Sequence, residues 1–220
     1  MTEMVEFALG YIRRGWPVVP CDPATKRPLI KDGFKGASTD EAAVVGWWQH
    51  WPNAMIGVPM GRATGVFAID PDVPKESGGA DGLAAWHDLV RENGGSPLTH
   101  TQETPSGGLH ILFRWDEERP ITNREGRLPP GINVRGEGGY IIAEPSRRAD
   151  GVAYRMVEPL DRFNFAPAPN WLYELLLAER PQEPESASAA VLDFPRSAKG
   201  ADRYAVAALE AECKAVSGAR

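Results

Sequence analysis

The sequence predicts an α+β fold in which helices and a mainly antiparallel sheet occupy separate stretches of the chain. Two observations carry this expectation. From residue 99 to residue 157 the strand patterns 99–104, 109–115, 132–135, 139–143 and 152–157 follow one another, divided by Gly and Pro clusters rather than by helices. The helical patterns gather in the first half of the chain and again at about 169–180. Such segregation favours α+β over a doubly wound parallel sheet. At 42% hydrophobic residues in 220, the chain can bury a proper core.

Taken in order, residues 3–14 carry a helical pattern with apolar Phe7, Leu9, Tyr11 and Ile12, stopped by Gly15. The segment WPVVP (16–20) reads as a short strand, and its prolines place it at a sheet edge. A Lys-, Pro- and Gly-rich loop follows. Ser38, with Glu41 three residues on, fits a capping box that opens a helix over 39–50. Residues 56–59 and 65–69 read as strands, and 80–93 as a helix closed by Asn93-Gly94-Gly95. Residues 181–198, rich in Pro, Ser, Ala and Glu, read as a linker. A helical pattern resumes over 200–216. The expected organisation is a folded domain over 1–180, the linker, and a helical extension over 199–220 that can open a further domain.

A net charge of −6 disfavours attachment to nucleic acid by overall charge, so such contact requires a local basic patch. No apolar run approaches the roughly 18 residues of a membrane span. The opening MTEMVEFALG lacks the basic start and apolar block of a secretory signal. The two cysteines, Cys21 and Cys213, lie far apart and no CxxC occurs, which argues against a structural zinc module. A cytoplasmic protein with reduced thiols is the reading that fits.

Four constellations carry chemistry. Asp70-Pro71-Asp72 ends the apolar run VFAI, and strand alternation points residues i and i+2 the same way. Two carboxylates so placed suit Mg²⁺ or Mn²⁺, which prefer hard oxygen ligands. The alternative is a solvated turn before Pro74. Thr104-Pro105-Ser106-Gly107-Gly108-Leu109-His110 precedes the strand ILF. Its glycines free backbone N–H groups to approach a phosphate, and His110 can reach the same anion. An ordinary hairpin turn with a surface histidine is the alternative. In GINVRGEGGY, Asn133 and Arg135 share one side of a strand, and the planar fork of Arg135 suits a phosphate. There the alternative is a β-hairpin with Arg135 and Glu137 in water. Lys26, Arg27, Lys31 and Lys35 form a basic loop able to hold a template or nucleotide, with a solvated charged loop as the alternative. Trp47, Trp48 and Trp51 can stack on bases, but their helical spacing favours core packing.

In order, and over roughly residues 5–180, these segments resemble the bifunctional primase/polymerase (prim-pol) domain of the archaeo-eukaryotic primase superfamily. "ALGYIRRGWPVVP", "KRPLIKDGFKGAST" and "WWQHWPNAMIGVPMG" resemble its N-terminal module. "VFAIDPD", "TPSGGLHILFR" and "GINVRGEGGYIIAEPS" resemble its acidic, histidine and third motifs. The resemblance implies a catalytic core with an RRM-like antiparallel sheet flanked by helices. It implies catalytic Asp70, Asp72 and His110, with Asp70 and Asp72 as ligands of Mg²⁺ or Mn²⁺. A nucleotide pocket would use Ser106, Gly107, His110 and Arg135, with Lys26, Arg27 and Lys35 near nucleotide or template. It further implies a single-stranded DNA template and primer, dNTP or NTP substrates, and a fused or associated helicase in a phage, plasmid or integrated element.

Two departures bear on the strength of the activity rather than on the fold. The family's third motif commonly supplies an aspartate where this chain has Asn133, a neutral and weaker metal ligand; Glu137 is a candidate substitute. Met55 stands where the family often has a polar residue. The sequence therefore supports a template-directed nucleotidyl transferase, with a catalytically weak nucleotide- or single-strand-binding module as the alternative. A metal-dependent phosphoesterase using the same aspartates ranks third, because the chain has one DxD and no His-rich cluster.

Overall fold

The computed structural model describes residues 3–124, 126–157 and 165–178. The chain partitions into two units, Met1–Arg180 and Pro181–Arg220, and every described residue belongs to the first. The expected linker over 181–198 and extension over 199–220, with Cys213, lie outside the described residues. In chain order the elements are α1 (Glu3–Ile12), β1 (Val19–Cys21), a short 3-10 turn (Gly33–Gly36), α2 (Glu41–His50), β2 (Met55–Pro59), β3 (Val66–Pro71), α3 (Gly82–Glu92), β4 (Thr101–Glu103), β5 (Leu109–Arg114), β6 (Ile132–Arg135), β7 (Tyr140–Ile142), β8 (Arg155–Met156) and α4 (Asn170–Leu177). Mixed helices and antiparallel sheets make this the α+β class the segregated pattern predicts.

Among the described residues the strands form two antiparallel sheets, one ordered β1-β2-β7 and the other β6-β3-β5-β4-β8. β1 is an edge strand, in keeping with Pro20 within it. β6 and β7 belong to different sheets, so the glycine-rich turn between them crosses from one to the other. The simple hairpin weighed for this segment does not form. Strand patterning cannot show this, because alternation reports a buried face and not a pairing partner.

β3 is buried along its whole length because both of its faces are covered. Val66 and Ala68 join the cluster that α1 and α2 pack against, with Ile56 and Val58 of the smaller sheet. Phe67 and Ile69 join the opposite cluster, closed by Trp86 of α3 and Leu172, Tyr173 and Leu176 of α4. Burying each such apolar side chain contributes about 1.5–3 kcal/mol. The smaller sheet covers its other face with Val19, Cys21, Met55, Ile142 and Tyr154. Met55 is thus a core residue, which explains why an apolar side chain is tolerated there.

The helix starts correct one detail. α2 is capped by Asp40, whose carboxylate accepts from the Ala43 N–H at 2.8 Å. Ser38, three residues before the helix, instead accepts from the Asp40 N–H. Both residue types cap well, and the helix takes the one adjacent to its first turn. Trp48 is buried and donates its indole N–H to the Ala54 carbonyl at 3.0 Å, while Trp47 and Trp51 pack half-buried on the same cluster. The tryptophans of α2 therefore serve the core.

Candidate active site

Strand alternation decides which face of the larger sheet carries chemistry. Val66 and Ala68 point toward the smaller sheet, so Asp70 and Asp72, on the same parity, point there too. Antiparallel register sets Asp70 opposite Asn133 on β6. On the other side Ile69 pairs with Ile111, which brings His110 alongside Asp70, and His110 pairs with Gln102 on β4. Asn133, Asp70, His110 and Gln102 thus form a polar row across four neighbouring strands, on the face turned toward the smaller sheet.

Asp70 and His110 of this row line a cleft of about 450 Å³, while Asn133 and Gln102 lie off its wall. Asp70, Asp72, His110 and Arg135 line it from the larger sheet, with Thr104 and Ser106 from the β4–β5 turn. Phe34 and Tyr140 stack at 5.5 Å on the opposite wall. Lys26 reaches the cleft from its loop, held by the Tyr140 hydroxyl donating to the Lys26 carbonyl at 3.0 Å. Lys26 has φ 63°, the left-handed region that non-glycine residues seldom adopt. The turn that forces it is built on Asp22, whose carboxylate accepts from the Ala24 and Thr25 N–H groups.

The electrostatics follow from burial. Asp70 is 6% exposed, and desolvation raises its pKa above the usual carboxylate value against the opposing pull of Arg135, Lys26 and Lys75. Arg135 Nη2 donates to Asp70 Oδ2 at 3.2 Å. His110 is pushed down to about 3, first by burial and then by Arg135 and Lys26. The 3.6 Å approach of His110 Nε2 to Asp70 Oδ1 therefore joins a neutral imidazole to a carboxylate and is not an ion pair. Asp72 sits at the open end, where Asn133 Nδ2 donates to its Oδ2 at 2.9 Å.

The β4–β5 turn is a hairpin, and it also borders the cleft. Gly107 (φ 89°) donates its N–H to the Thr104 carbonyl at 2.9 Å, so this amide is used inside the turn and Gly107 does not line the cleft. Gly108 packs so closely on β3 that an added Cβ would lie 2.6 Å from the Pro71 carbonyl oxygen. Arg27 and Lys35 are exposed on the basic loop and also lie off the cleft wall. Glu137 does not substitute for a third carboxylate. Its side chain accepts from the Arg62 N–H at 2.6 Å and packs on Gly61, because the turn aims it at the β2–β3 connection.

Several cleft residues carry no sequence signal of their own. Asn123, Tyr154 and Lys75 line it beside Thr104 of the hairpin motif, and Gln102 lies buried behind it. Thr104 Oγ1 is buried with no hydrogen-bond partner among the described residues. Asn123 accepts from the Gly136 N–H at 3.0 Å and fits against Gly139, where a Cβ would lie 2.2 Å from its Oδ1.

A family model described as bifunctional DNA primase/polymerase, N-terminal, matches residues 8–171. The chain belongs to the bifunctional DNA primase/polymerase (Prim-Pol) family. No curated protein matches the sequence. Every cleft residue lies inside the matched span. Membership carries the coarse chemistry with it: a nucleotidyl transferase of the DNA primase/polymerase type, with nucleic acid and nucleotide as substrates. Among the described residues, no helix is long and apolar enough to cross a membrane.

The Prim-Pol cleft has a donor set that fits a hard divalent cation. Asp70 and Asp72 offer carboxylate oxygens to the same space, and Asn133 sits against one of them. Among the described residues no group of three or more His, Cys, Asp or Glu gathers as a cage. Two carboxylates with the remaining positions left to water and phosphate oxygens is the pattern Mg²⁺ adopts in nucleotide enzymes.

Proposed function

We propose that this Prim-Pol domain joins nucleotides on a single-stranded DNA template, extending a primer with dNTP or NTP in the presence of Mg²⁺ or Mn²⁺. One observation carries the reading: Asp70 and Asp72 open into a single cleft whose wall also holds Arg135 and His110. Phosphoryl transfer asks the protein for positioning and charge rather than covalent chemistry. The bound divalent ions would supply Lewis acidity to the primer hydroxyl and the triphosphate. Asp70 and Asp72 would hold them. Arg135, Lys26 and Lys75 bring positive charge to where pyrophosphate leaves. Ser106 and Thr104 offer hydroxyls from the hairpin. Arg27 and Lys35, outside the cleft on the same basic loop, are suited to the template backbone.

On this reading the catalytic unit lies within residues 1–180. The resemblance supports a role in replicating a phage, plasmid or integrated element, in the cytoplasm and beside a fused or associated helicase. The test is extension of a labelled primer on single-stranded DNA with dNTPs and Mn²⁺. Additions that follow the template base are expected; binding of primer–template without any addition would refute catalysis.

Asn133 motivates a second reading, a nucleotide- or single-strand-binding module with little or no turnover. Its amide brings no negative charge to the site and is already engaged with Asp72. The same assay separates the two.

A further inference from the structure

Gln102 is 1% exposed and lies on β4 directly opposite His110. Its side-chain amide has three partners. Oε1 accepts from the Glu144 N–H at 2.9 Å, Nε2 donates to the Ile142 carbonyl at 2.6 Å, and Nε2 also meets His110 Nδ1 at 2.7 Å. The first two partners have fixed polarity, since a backbone N–H only donates and a backbone carbonyl only accepts. They settle which end of the amide is which. Reversing it would set carbonyl against carbonyl at Ile142 and N–H against N–H at Glu144, both out of water.

The amide NH₂ therefore faces His110, and Nδ1 is the acceptor. An accepting ring nitrogen holds no proton, so the imidazole is neutral and its proton sits on Nε2. Nε2 is the atom turned toward Asp70 and the cleft, and 3.6 Å to Asp70 Oδ1 is beyond hydrogen-bond range. Its N–H is thus directed at the space where an anionic oxygen would bind. The opposite tautomer would present a lone pair there and repel a phosphate. Tyr154, with its ring centroid 5.8 Å from that of His110, packs on the imidazole and limits its rotation.

We propose that Gln102 is a positioning residue that fixes His110 in the Nε2-protonated tautomer, so that His110 acts as a neutral hydrogen-bond donor to the triphosphate oxygens of the bound nucleotide. Ile142 belongs to β7 and Glu144 follows it, so the same amide ties the larger sheet to the smaller one behind the cleft. The proposal rests on the nucleotide reading above only for the identity of the anion.

The test is a two-bond ¹H–¹⁵N correlation spectrum of the nucleotide-free protein labelled at histidine, with His110 assigned by the signals lost in His110→Gln. The expected pattern at neutral pH is a protonated Nε2 and an unprotonated Nδ1. In Gln102→Glu the carboxylate can only accept, and the His110 proton should move to Nδ1 or occupy both nitrogens. In Gln102→Met the preference should be lost and the signals average. KM for dATP with Mn²⁺ should rise about tenfold or more in both variants, with a smaller change in kcat. A wild-type spectrum showing Nδ1–H overturns the proposal, whether or not the variants fold. So does a folded Gln102→Glu that keeps the wild-type pattern. Because the spectrum needs no turnover, the expected tautomer in a chain that incorporates no nucleotide would count against the polymerase reading alone.

Discussion

Arg135 pairs in register with Ala68, yet its guanidinium reaches two residues along β3 to bond Asp70 at 3.2 Å. This diagonal contact lets β6 serve both aspartates, with Asn133 on Asp72 and Arg135 on Asp70. The two carboxylates consequently differ. Asp70 is deep, with a raised pKa and a cationic partner, whereas Asp72 is nearer solvent and bonded to a neutral amide.

The burial of Asp70 sets function against stability. Its folded pKa lies above the ordinary value near 3.9, so folding favours the protonated form. The stability this group contributes is fully present below about pH 3.9 and is lost as pH rises through the folded pKa. Asp70→Asn, which mimics the protonated acid, should therefore melt above wild type at pH 7, and the gap should close toward pH 4. Each kcal/mol corresponds to about 2–4 °C in Tm for a chain of this size. Thermal melts at both pH values check this; equal melting temperatures at pH 7 would contradict it.

Asn133→Asp brings a third carboxylate against Asp72, where an N–H now donates at 2.9 Å. Without metal the two acids repel, so the variant should melt below wild type. With Mn²⁺ the order should reverse, because ligand charge strengthens cation binding. The metal concentration for half-maximal primer extension should fall by on the order of tenfold. A titration that leaves the metal requirement unchanged would show that Asn133 does not limit it.

Gly108→Ala tests the seating of the hairpin on β3. The added Cβ would lie 2.6 Å from the Pro71 carbonyl oxygen and 3.3 Å from Asp72 Cα, so hairpin and strand end must part. Urea melts should show a loss of about 1–3 kcal/mol. Primer extension should fall as well, although no charged group is touched.

The grouping of polar residues near β3 was legible in the sequence because it rests on local spacing. VFAIDPD puts two acids on one side of a strand end, and the structure brings both to one cleft with His110, Ser106, Arg135 and Lys26. Other features depend on which strands pair, and spacing does not encode that. Gln102 sits in TQETPS, a stretch with no signal of its own, and becomes notable only when β4 is placed against β5 and beneath β7. The segment 132–142 reads as two short strands around a glycine-rich turn, and their spacing does not encode that they join different sheets. Glu137 looked available to a metal until the crossover turn directed it to Arg62.

On the proposed function, Asp70 and Asp72 together carry nucleotide addition. The most direct measurement is template-directed primer extension by wild type, Asp70→Asn, Asp72→Asn and the double variant, each confirmed as folded by its melting curve. Each single variant is expected to lose about 100-fold or more in rate, with the double variant no faster than either. Extension by the folded double variant at the wild-type rate would contradict the account.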